Sequence, residues 1–235
     1  MSTMLHEPLS TLNILHAVST RIAAADPLHD VLNEIVELVS DLVSCDSCFI
    51  FLVEDNNLVL RASKNAHPEV IDKLQIESGR GITGWVAENA EAVVLCESAF
   101  RDPRFKAFPE LPEDTFEAFL SIAILSRGKV VGVINVQHRE QHVFTSHEIK
   151  TITTIGHLVG AAIEMARLEA EVTHLSDKLE TRKHVERAKG LLQRELGIGE
   201  EEAYLRIQKE SRQRRKSMRE ISQAILLSEE LRRKQ

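Results

Sequence analysis

Residues 121–136 read SIAILSRGKVVGVINV. Two apolar runs rich in β-branched side chains, 121–125 and 130–136, are typical of β-strands. They flank a short polar segment in which Gly128 suits a tight reversal of the chain. This pattern predicts two antiparallel strands joined by a hairpin turn, and it indicates that the sheet to which they belong is antiparallel.

Further apolar runs supply the other strands of this sheet. Residues 49–53 predict a buried strand, and residues 58–62 predict its hairpin partner beyond a polar turn. Residues 91–95 predict one more strand between this hairpin and that of residues 121–136.

Two amphipathic helices are expected before the first strand. Residues 9–22 and 31–42 repeat apolar side chains at helical spacing, with a break near Asp26 and Pro27. Because helices both precede and follow the strands, we predict an α+β domain over residues 1–164, with an antiparallel sheet flanked by helices.

A long helix is predicted after this domain. Thr145 and Glu148 have the spacing of a capping box, and Gly197 is the residue expected to end the helix. Apolar side chains recur at alternating steps of three and four, which predicts a dimeric coiled coil over residues 165–184, with its phase interrupted at Arg182. These side chains, which we call the seam, are Met165, Leu168, Val172, Leu175 and Leu179. The alternative is a helix that folds back onto its own domain.

Residues 177–235 predict an all-α domain of three helices, the first of which is the end of the long helix. Gly197 separates the first two helices, and Ser217 with Glu220 forms a second capping box that opens the third. The apolar stripes of the second and third helices comprise Ala203, Tyr204, Ile207, Met218, Ile221, Ala224 and Ile225. On this spacing Tyr204 is expected in the three-helix core, where it could not stack on the bases of single-stranded nucleic acid.

Charge is distributed unevenly along the chain. The net charge of −7 is the balance of −12 over residues 1–175 and +5 over residues 176–235. Within residues 209–219 only Glu210 opposes the cations Lys209, Arg212, Arg214, Arg215, Lys216 and Arg219, which we call the basic cluster. Because arginine and lysine bind phosphate, the cluster favours nucleic acid as a partner, and the alternative is an ordinary solvated helix surface.

Composition narrows the class of protein. With 235 residues, of which 43% are hydrophobic and 28% charged, the chain is typical of globular proteins. No apolar run approaches the roughly 18 residues of a membrane span, and the first residues lack the pattern of a signal peptide. Three cysteines are too few for a disulfide-built secreted fold. We therefore expect a cytoplasmic protein without a membrane partner.

The sequence identifies no catalytic residue, metal site or cofactor. Glycines in residues 79–84 have the spacing of a dinucleotide-binding loop, but no parallel βαβ unit surrounds them, so we expect them to permit a close approach of loop and helix. Cys45 and Cys48 are expected to be small buried residues. We expect no enzyme, and the alternative in that class is a redox or phosphotransfer protein that uses the cysteines or His184.

Residues 177–231 resemble the ANTAR domain, the RNA-binding module of bacterial transcription antiterminators. The matching stretches are residues 188–192 (AKGLL), 196–198 (LGI), 202–204 (EAY) and 216–221 (KSMREI), continuing to 224–226 (AIL). The resemblance implies a coiled coil that leads into a three-helix bundle. It also implies dimers that recognise paired hairpins in nascent leader RNA and prevent a terminator from forming.

Residues 10–168 resemble a GAF domain, a module that senses small molecules or other signals. The matching stretches are residues 79–86 (GRGITGWV), 101–105 (RDPRF) and 128–136 (GKVVGVINV), closed by Phe144. The resemblance implies a small-molecule ligand or another input signal. GAF domains that bind cyclic nucleotides have Lys after the matching Asn, whereas Val136 follows Asn135 here, so the ligand stays unknown.

Together these features predict a signal-responsive transcription antiterminator that binds hairpin loops in nascent leader RNA as a homodimer through its seam. In this hypothesis the GAF domain senses a small molecule, a redox state or a partner. The predicted RNA contacts are Lys189, Arg212, Arg214, Arg215, Lys216 and Ser217, although Ser217 is fully explained as a helix cap. The alternative is a dimeric signalling adaptor whose basic C-terminal domain binds an acidic protein.

Overall fold

The computed structural model describes residues 11–24, 27–64, 70–106 and 116–232. The chain divides into two compact units, Met1–Ala166 and Arg167–Gln235. The helices are α1 (Thr11–Ala23), α2 (Leu28–Val43), α3 (Gly81–Asn89), α4 (Ser146–Leu196), α5 (Glu200–Arg214) and α6 (Met218–Arg232), and the strands are β1 (Ser47–Glu54), β2 (Asn57–Ser63), β3 (Gln75–Glu77), β4 (Val93–Leu95), β5 (Ala118–Ser126) and β6 (Lys129–His138). The predicted helix start at residues 9–10 and the break at Asp26 lie outside the described residues.

These strands form one sheet in the order β3-β2-β1-β6-β5-β4, and every neighbouring pair is antiparallel. The hairpin predicted over residues 121–136 is the pair β5 and β6, which closes with Ser126 opposite Lys129. The antiparallel sheet is therefore confirmed. The sequence missed β3, which is only three residues long, and it began β4 at Glu91 instead of Val93.

Both faces of the sheet are buried. In β1, Cys48, Ile50 and Leu52 belong to one hydrophobic cluster, whereas Phe49 and Phe51 belong to another. Successive side chains of a strand point to opposite faces, so a strand between two cores needs apolar residues at every position. This requirement explains why the first strand shows no alternation of apolar and polar residues.

Helices α1, α2 and the first part of α4 cover one face of the sheet. The capping box predicted at the start of α4 is confirmed, because the Thr145 backbone N–H donates to the Glu148 carboxylate over 2.6 Å and the Glu148 N–H donates to Thr145 Oγ1 over 3.1 Å. Ile152, Ile155 and Val159 of this helix are fully buried in the cluster beneath it.

Glycine allows α4 to approach the backbone of β5 closely. A Cβ atom added to Gly160 would overlap with the carbonyl oxygen of Leu125. One turn earlier, a Cβ on Gly156 would lie 3.5 Å from the carbonyl oxygen of Ala123. Helix α4 therefore contacts β5 through its glycines, and its larger side chains belong to the surrounding hydrophobic cluster.

Helix α3 and the segments around it cover the other face. This helix begins at Gly81, so two of the glycines of residues 79–84, Gly81 and Gly84, lie in its first turn. A Cβ on Gly84 would lie 2.6 Å from the carbonyl oxygen of Glu77, because the first turn of the helix is packed against β3. The prediction that the glycines of residues 79–84 permit a close approach is confirmed.

Helix α4 is continuous for 51 residues and ends at Leu196, directly before the predicted stop at Gly197. All residues from 167 to 179 are exposed, so this stretch contributes to neither hydrophobic core. Within the described ranges, no helix is long and apolar enough to cross a membrane.

We expect Gly160→Ala to destabilise the first unit, because the added methyl group pushes α4 away from β5. Overpacking of this kind costs about 1–3 kcal/mol, which corresponds to a fall in Tm of several degrees. The chain has a single tryptophan, Trp85, so tryptophan fluorescence in a urea titration reports on this unit.

The matched control is Gly190→Ala, since Gly190 is also within α4 but has nothing within 4 Å of an added Cβ. There the gain in helix propensity is not opposed by a clash, and the Trp85 transition should not move. Equal urea midpoints for wild type and Gly160→Ala would contradict the close packing of helix and strand.

Candidate functional site

The second unit has a small hydrophobic core between the end of α4, α5 and α6. Ala188, Ile207 and Ile221 are its buried centre, one from each helix. The partly buried residues around them are Leu192, Met218, Ile225 and Leu226. The predicted three-helix bundle is therefore confirmed, and it fixes which faces of α5 and α6 remain exposed.

Local signals set the ends of these helices. Gly197 adopts a left-handed conformation with φ of 66°, which reverses the chain after α4. Glu200, Glu201 and Glu202 then occupy the first turn of α5, where the positive end of the helix dipole favours carboxylates. Arg215 ends α5 in a second left-handed conformation with φ of 53°.

The capping box predicted at the start of α6 is confirmed. The Ser217 backbone N–H donates to Glu220 Oε2 over 2.8 Å, and the Glu220 N–H donates to Ser217 Oγ over 3.2 Å. Lys216 Nζ also donates to Glu220 Oε1 over 2.9 Å. The bonds from Lys216 and Ser217 lower the pKa of Glu220 from 4.5 to about 2. Ser217, which the sequence also suggested as an RNA contact, thus caps the start of α6.

The structure separates the basic cluster into two groups. Three of its cations are ion-paired, in the pairs Arg214–Glu210 (2.7 Å), Lys216–Glu220 (2.9 Å) and Arg219–Asp177 (3.1 Å). The other three, Lys209, Arg212 and Arg215, are exposed and form no ion pair with any residue in the described ranges. The second group is free to bind anions without giving up a partner.

Lys189 lies apart from the basic cluster in both position and surroundings. Its side chain is only 9% exposed, and its ammonium group donates to Glu200 over 2.7 Å and pairs with Glu186 at 2.9 Å. These two carboxylates raise the pKa of Lys189, with the bond to Glu200 as the larger cause. Lys189 therefore links α4 to the start of α5, and a phosphate bound to it would compete with these two carboxylates.

The expectation that Tyr204 lies in the three-helix core is wrong. The residue is 42% exposed, whereas its neighbours Ala203 and Ile207 are fully buried. Leu205, the next residue along α5, is 52% exposed. Ala203 and Ile207 already fill the contact with α4 and α6, so the position one residue further round the helix turns towards solvent.

The seam is exposed along its whole length. Its five side chains are between 40% and 66% exposed, in the order Met165 (62%), Leu168 (40%), Val172 (66%), Leu175 (55%) and Leu179 (55%). A row of large apolar side chains at heptad spacing is left without a partner within the described chain.

A small cavity of about 30 Å³ lies in the first unit, on the face of the sheet covered by α3. Its lining combines aromatic side chains such as Phe51 and Phe119 with the polar residues Thr83, Asn135 and Gln137. Ser121 Oγ donates to Asn135 Oδ1 over 2.7 Å, and Asn135 Nδ2 donates to Thr83 Oγ1 over 2.8 Å.

Gln137 differs from the other polar residues of this cavity. It is 5% exposed, and its Oε1 atom accepts no hydrogen bond from the described residues. Because buried acceptors are normally paired, the cavity has an unused position for a hydrogen-bond donor. Sequence reasoning missed this residue, although it follows Asn135 by two positions in β6 and so lies on the same face of the sheet.

The candidates for redox or phosphotransfer chemistry are Cys45, Cys48 and His184. Cys45 and Cys48 are both buried, as predicted, and burial raises the pKa of each thiol. Reactive cysteines instead need a lowered pKa and access to solvent. His184 Nε2 lies 3.9 Å from Glu180 on the same helix and 3.4 Å from Gln223 Nε2 of α6.

Two family models match this chain. That of the GAF domain matches residues 25–164, and that of the ANTAR domain matches residues 173–226. The solved structure of the GAF domain from a phosphoenolpyruvate-protein phosphotransferase of Coxiella burnetii is similar to this chain with a TM-score of 0.64 and 28% identity, over 70% of this chain and 99% of that one.

Curated relatives match each part of the chain at different lengths. The transcriptional regulatory protein PdtaR of Mycobacterium tuberculosis is 48% identical over 63 residues, which cover 27% of this chain and 31% of that protein. A phosphoenolpyruvate-dependent phosphotransferase system protein of Escherichia coli is 26% identical over 158 residues, which cover 66% of this chain and 21% of that protein. The chain therefore spans less than a third of the length of these relatives.

We expect the capping box of α6 to give the second unit a pH-dependent stability. The pKa of Glu220 is lower in the folded chain than its ordinary value of 4.5, so the stabilisation is complete above that pH and is lost as the pH falls towards 2. Glu220→Ala should therefore lower the Tm of the helical signal by a few degrees at pH 7. Near pH 2 the wild type and the variant should melt together, as followed by far-ultraviolet circular dichroism.

The variant Glu220→Gln separates the two interactions that stabilise the cap, the hydrogen bond from Ser217 and the ion pair with Lys216. A glutamine can still accept the bond from the Ser217 N–H, but it cannot pair with the charge of Lys216. Its Tm at pH 7 should lie between those of wild type and Glu220→Ala. A Tm difference between wild type and Glu220→Ala that is the same at pH 7 and pH 2 would show that the ionised carboxylate has no part in the cap.

Proposed function

The chain belongs to the GAF domain family and carries an ANTAR domain after it, and we propose that it is a signal-responsive RNA-binding regulator of transcription antitermination. In this proposal the second unit binds hairpin loops in nascent leader RNA, and the GAF domain controls that binding. The ANTAR match over residues 173–226 and the similarity to the regulator PdtaR support this reading.

The observation that carries the proposal is the set of unpaired cations in the second unit. Lys209, Arg212 and Arg215 are exposed at the end of α5 without a carboxylate partner in the described chain. Arg214 and Lys216 are paired only at the surface, where an ion pair contributes about 0–1 kcal/mol, so a phosphate can replace its carboxylate at small cost. The cluster as a whole therefore offers a phosphate-binding surface.

Recognition of a hairpin loop requires contacts to both phosphates and bases. Phosphate contacts position the RNA without reading its sequence, whereas contacts to unstacked loop bases supply the specificity. The planar guanidinium groups of Arg212 and Arg215 suit both tasks, because they form two parallel bonds to phosphate or to a base edge. Lys189 is left out of this proposed surface, since its ammonium group is held by two carboxylates.

A homodimer is the second part of the proposal. The seam is apolar, exposed and spaced in heptads, which are the properties of a coiled-coil surface awaiting a second copy. Two copies joined in this way would present two basic surfaces, one for each of a pair of hairpins.

The third part of the proposal assigns input to the GAF domain. The cavity between the sheet and α3 holds polar groups from two elements, α3 and β6, and one acceptor, Gln137 Oε1, that has no hydrogen-bond partner among the described residues. These features support a small ligand that donates a hydrogen bond there.

The competing function is a dimeric adaptor that binds an acidic protein through the same basic cluster. RNA and protein partners differ in how salt affects them, because displacement of counterions from RNA makes log affinity fall linearly with log salt concentration. The ANTAR domain favours RNA over an acidic protein.

We expect the charge-reversed variant Arg214→Glu/Arg215→Glu/Lys216→Glu to lose measurable affinity for a labelled two-hairpin leader RNA. We also expect the neutral variant Arg212→Gln/Arg215→Gln to bind more weakly and with a shallower salt dependence, by about 0.7–0.9 in slope for each phosphate contact removed. Fluorescence anisotropy over a range of salt concentrations measures both effects.

A variant with the same change of net charge in the first unit is the control: Arg101→Glu/Arg127→Glu/Lys129→Glu. It should keep most of the RNA affinity if binding is local to the basic cluster. Equal losses in both charge-reversed variants would show that only the overall charge matters. Binding of an acidic protein but of no hairpin RNA would favour the adaptor.

We expect Val172→Glu/Leu175→Glu to convert a dimer into a monomer, because a carboxylate cannot be buried against its copy in an apolar seam. Light scattering coupled to size-exclusion chromatography gives the mass. Ala170→Glu is the control, since Ala170 is exposed on the side of the helix away from the seam and should leave the dimer intact. A wild-type chain that is monomeric at the concentrations at which it binds RNA would refute dimerisation through the seam.

A further inference from the structure

We propose that the ring of Tyr204 stacks on a base of the bound RNA loop, at a site on the outer face of α5 that also includes Lys209 and Arg212. The proposal rests on the proposed function, because it presumes that the second unit binds RNA. It adds a base-binding residue outside the set of cations.

The orientation of α5 is set by its buried side chains. Ala203 and Ile207 are fully buried and fix the inner face of the helix against α4 and α6. Each residue turns the helix by about 100°, so Tyr204 lies at the edge of this inner face and Leu205 lies further out. Their exposed fractions of 42% and 52% agree with that rotation.

Tyr204 shares this face of α5 with two exposed cations. Side chains four residues apart are neighbours on a helix, so Tyr204, Gln208 and Arg212 form one row and Leu205 and Lys209 form the row beside it. Lys209 and Arg212 are exposed members of the basic cluster that form no ion pair with the described residues. An aromatic ring and two uncommitted cations therefore share one exposed surface.

The paired cations of the cluster serve as an internal comparison. Arg214 pairs with Glu210 one turn earlier in α5, at the side of the helix that borders the inner face. Lys216 and Arg219 pair with carboxylates of α6 and α4. The outer face of α5 thus combines an aromatic ring with cations that form no ion pair with the described residues.

The chemistry of this surface fits a nucleotide in an unpaired loop. A base offers a flat face for the phenol ring, and stacking contributes about 1–3 kcal/mol per base when it is removed by alanine substitution. The phosphates on either side of that base are anions that Lys209 and Arg212 can bind. Tyr204 is the one tyrosine of the chain, and no aromatic residue follows Phe144 except Tyr204.

The test uses the full chain and an RNA hairpin selected by binding from a pool with a fixed stem and a randomised loop. Tyr204→Ala should weaken binding about tenfold or more, and Tyr204→Phe should bind within about twofold of wild type, because the ring and not the hydroxyl group stacks. Neither substitution removes a charge, so the slope of log affinity against log salt should stay that of wild type.

Leu205→Ala is the matched control, since it truncates the adjacent exposed apolar side chain without removing a ring. It should leave the affinity within about twofold of wild type. As a direct readout of stacking, 2-aminopurine is placed at each loop position in turn. One position should be quenched when wild type or Tyr204→Phe binds, and that quenching should disappear with Tyr204→Ala at saturating protein.

The outcomes of this experiment separate the inference from the proposed function. If no hairpin is selected and the wild type binds none, both the RNA function and the stacking site fail. If the wild type binds but Tyr204→Ala keeps its affinity and its quenching, the stacking site alone is refuted. A loss of affinity in Tyr204→Ala that is accompanied by a lower dimer mass or a lower helix Tm also refutes it, because the ring would then serve the assembly or the fold.

Discussion

One helix has to supply side chains to two separate cores. Near its start, Ile152, Ile155 and Val159 of α4 are buried against the sheet, and near its end Ala188 is buried among α5 and α6. Between them, residues 167–179 are exposed all round, so that stretch gains no stability from either core. An isolated helix of this length is marginal in water, and most helical stability comes from packing. In the proposed dimer, a second copy of the chain stabilises this stretch through the apolar seam.

The parts of the structure that the sequence predicted best depend on neighbours in the chain. The hairpin of residues 121–136 and the capping boxes at Thr145 and Ser217 each depend on residues a few positions apart, so their signals can be read directly. Tyr204 was misplaced because it lies one position beyond Ala203 in an apolar stripe, and a rotation of about 100° decides between core and solvent. The ion pairs of Lys189 could not be predicted, because its partner Glu200 lies across a turn and the sequence does not show which charges meet in space.

The cations of the second unit differ in the ion pairs that an anion would have to replace. Lys189 has two carboxylate partners, Glu186 and Glu200, so an anion must compete with both of them for its ammonium group. Arg214 and Lys216 pair at the surface, where solvent and salt already weaken the attraction. Arg212 has no such pair in the described chain. The cations of the second unit thus differ in how strongly they are paired with carboxylates. We expect anions to bind best where α5 ends, since the pairing is weakest there.

The two faces of the sheet give the first unit a physical route from cavity to helix. Asn135 lines the cavity and accepts a hydrogen bond from Ser121, whereas their neighbours Ile122 and Ile134 lie on the opposite face, in the same cluster as Ile155 of α4. A ligand that moves the backbone of β5 or β6 must therefore move the surface on which α4 rests. At Gly160 the backbones of helix and strand are in direct contact, with no side chain between them. A shift of the strand there is therefore transmitted to the helix. A change in the cavity consequently reaches α4 across the thickness of a single sheet.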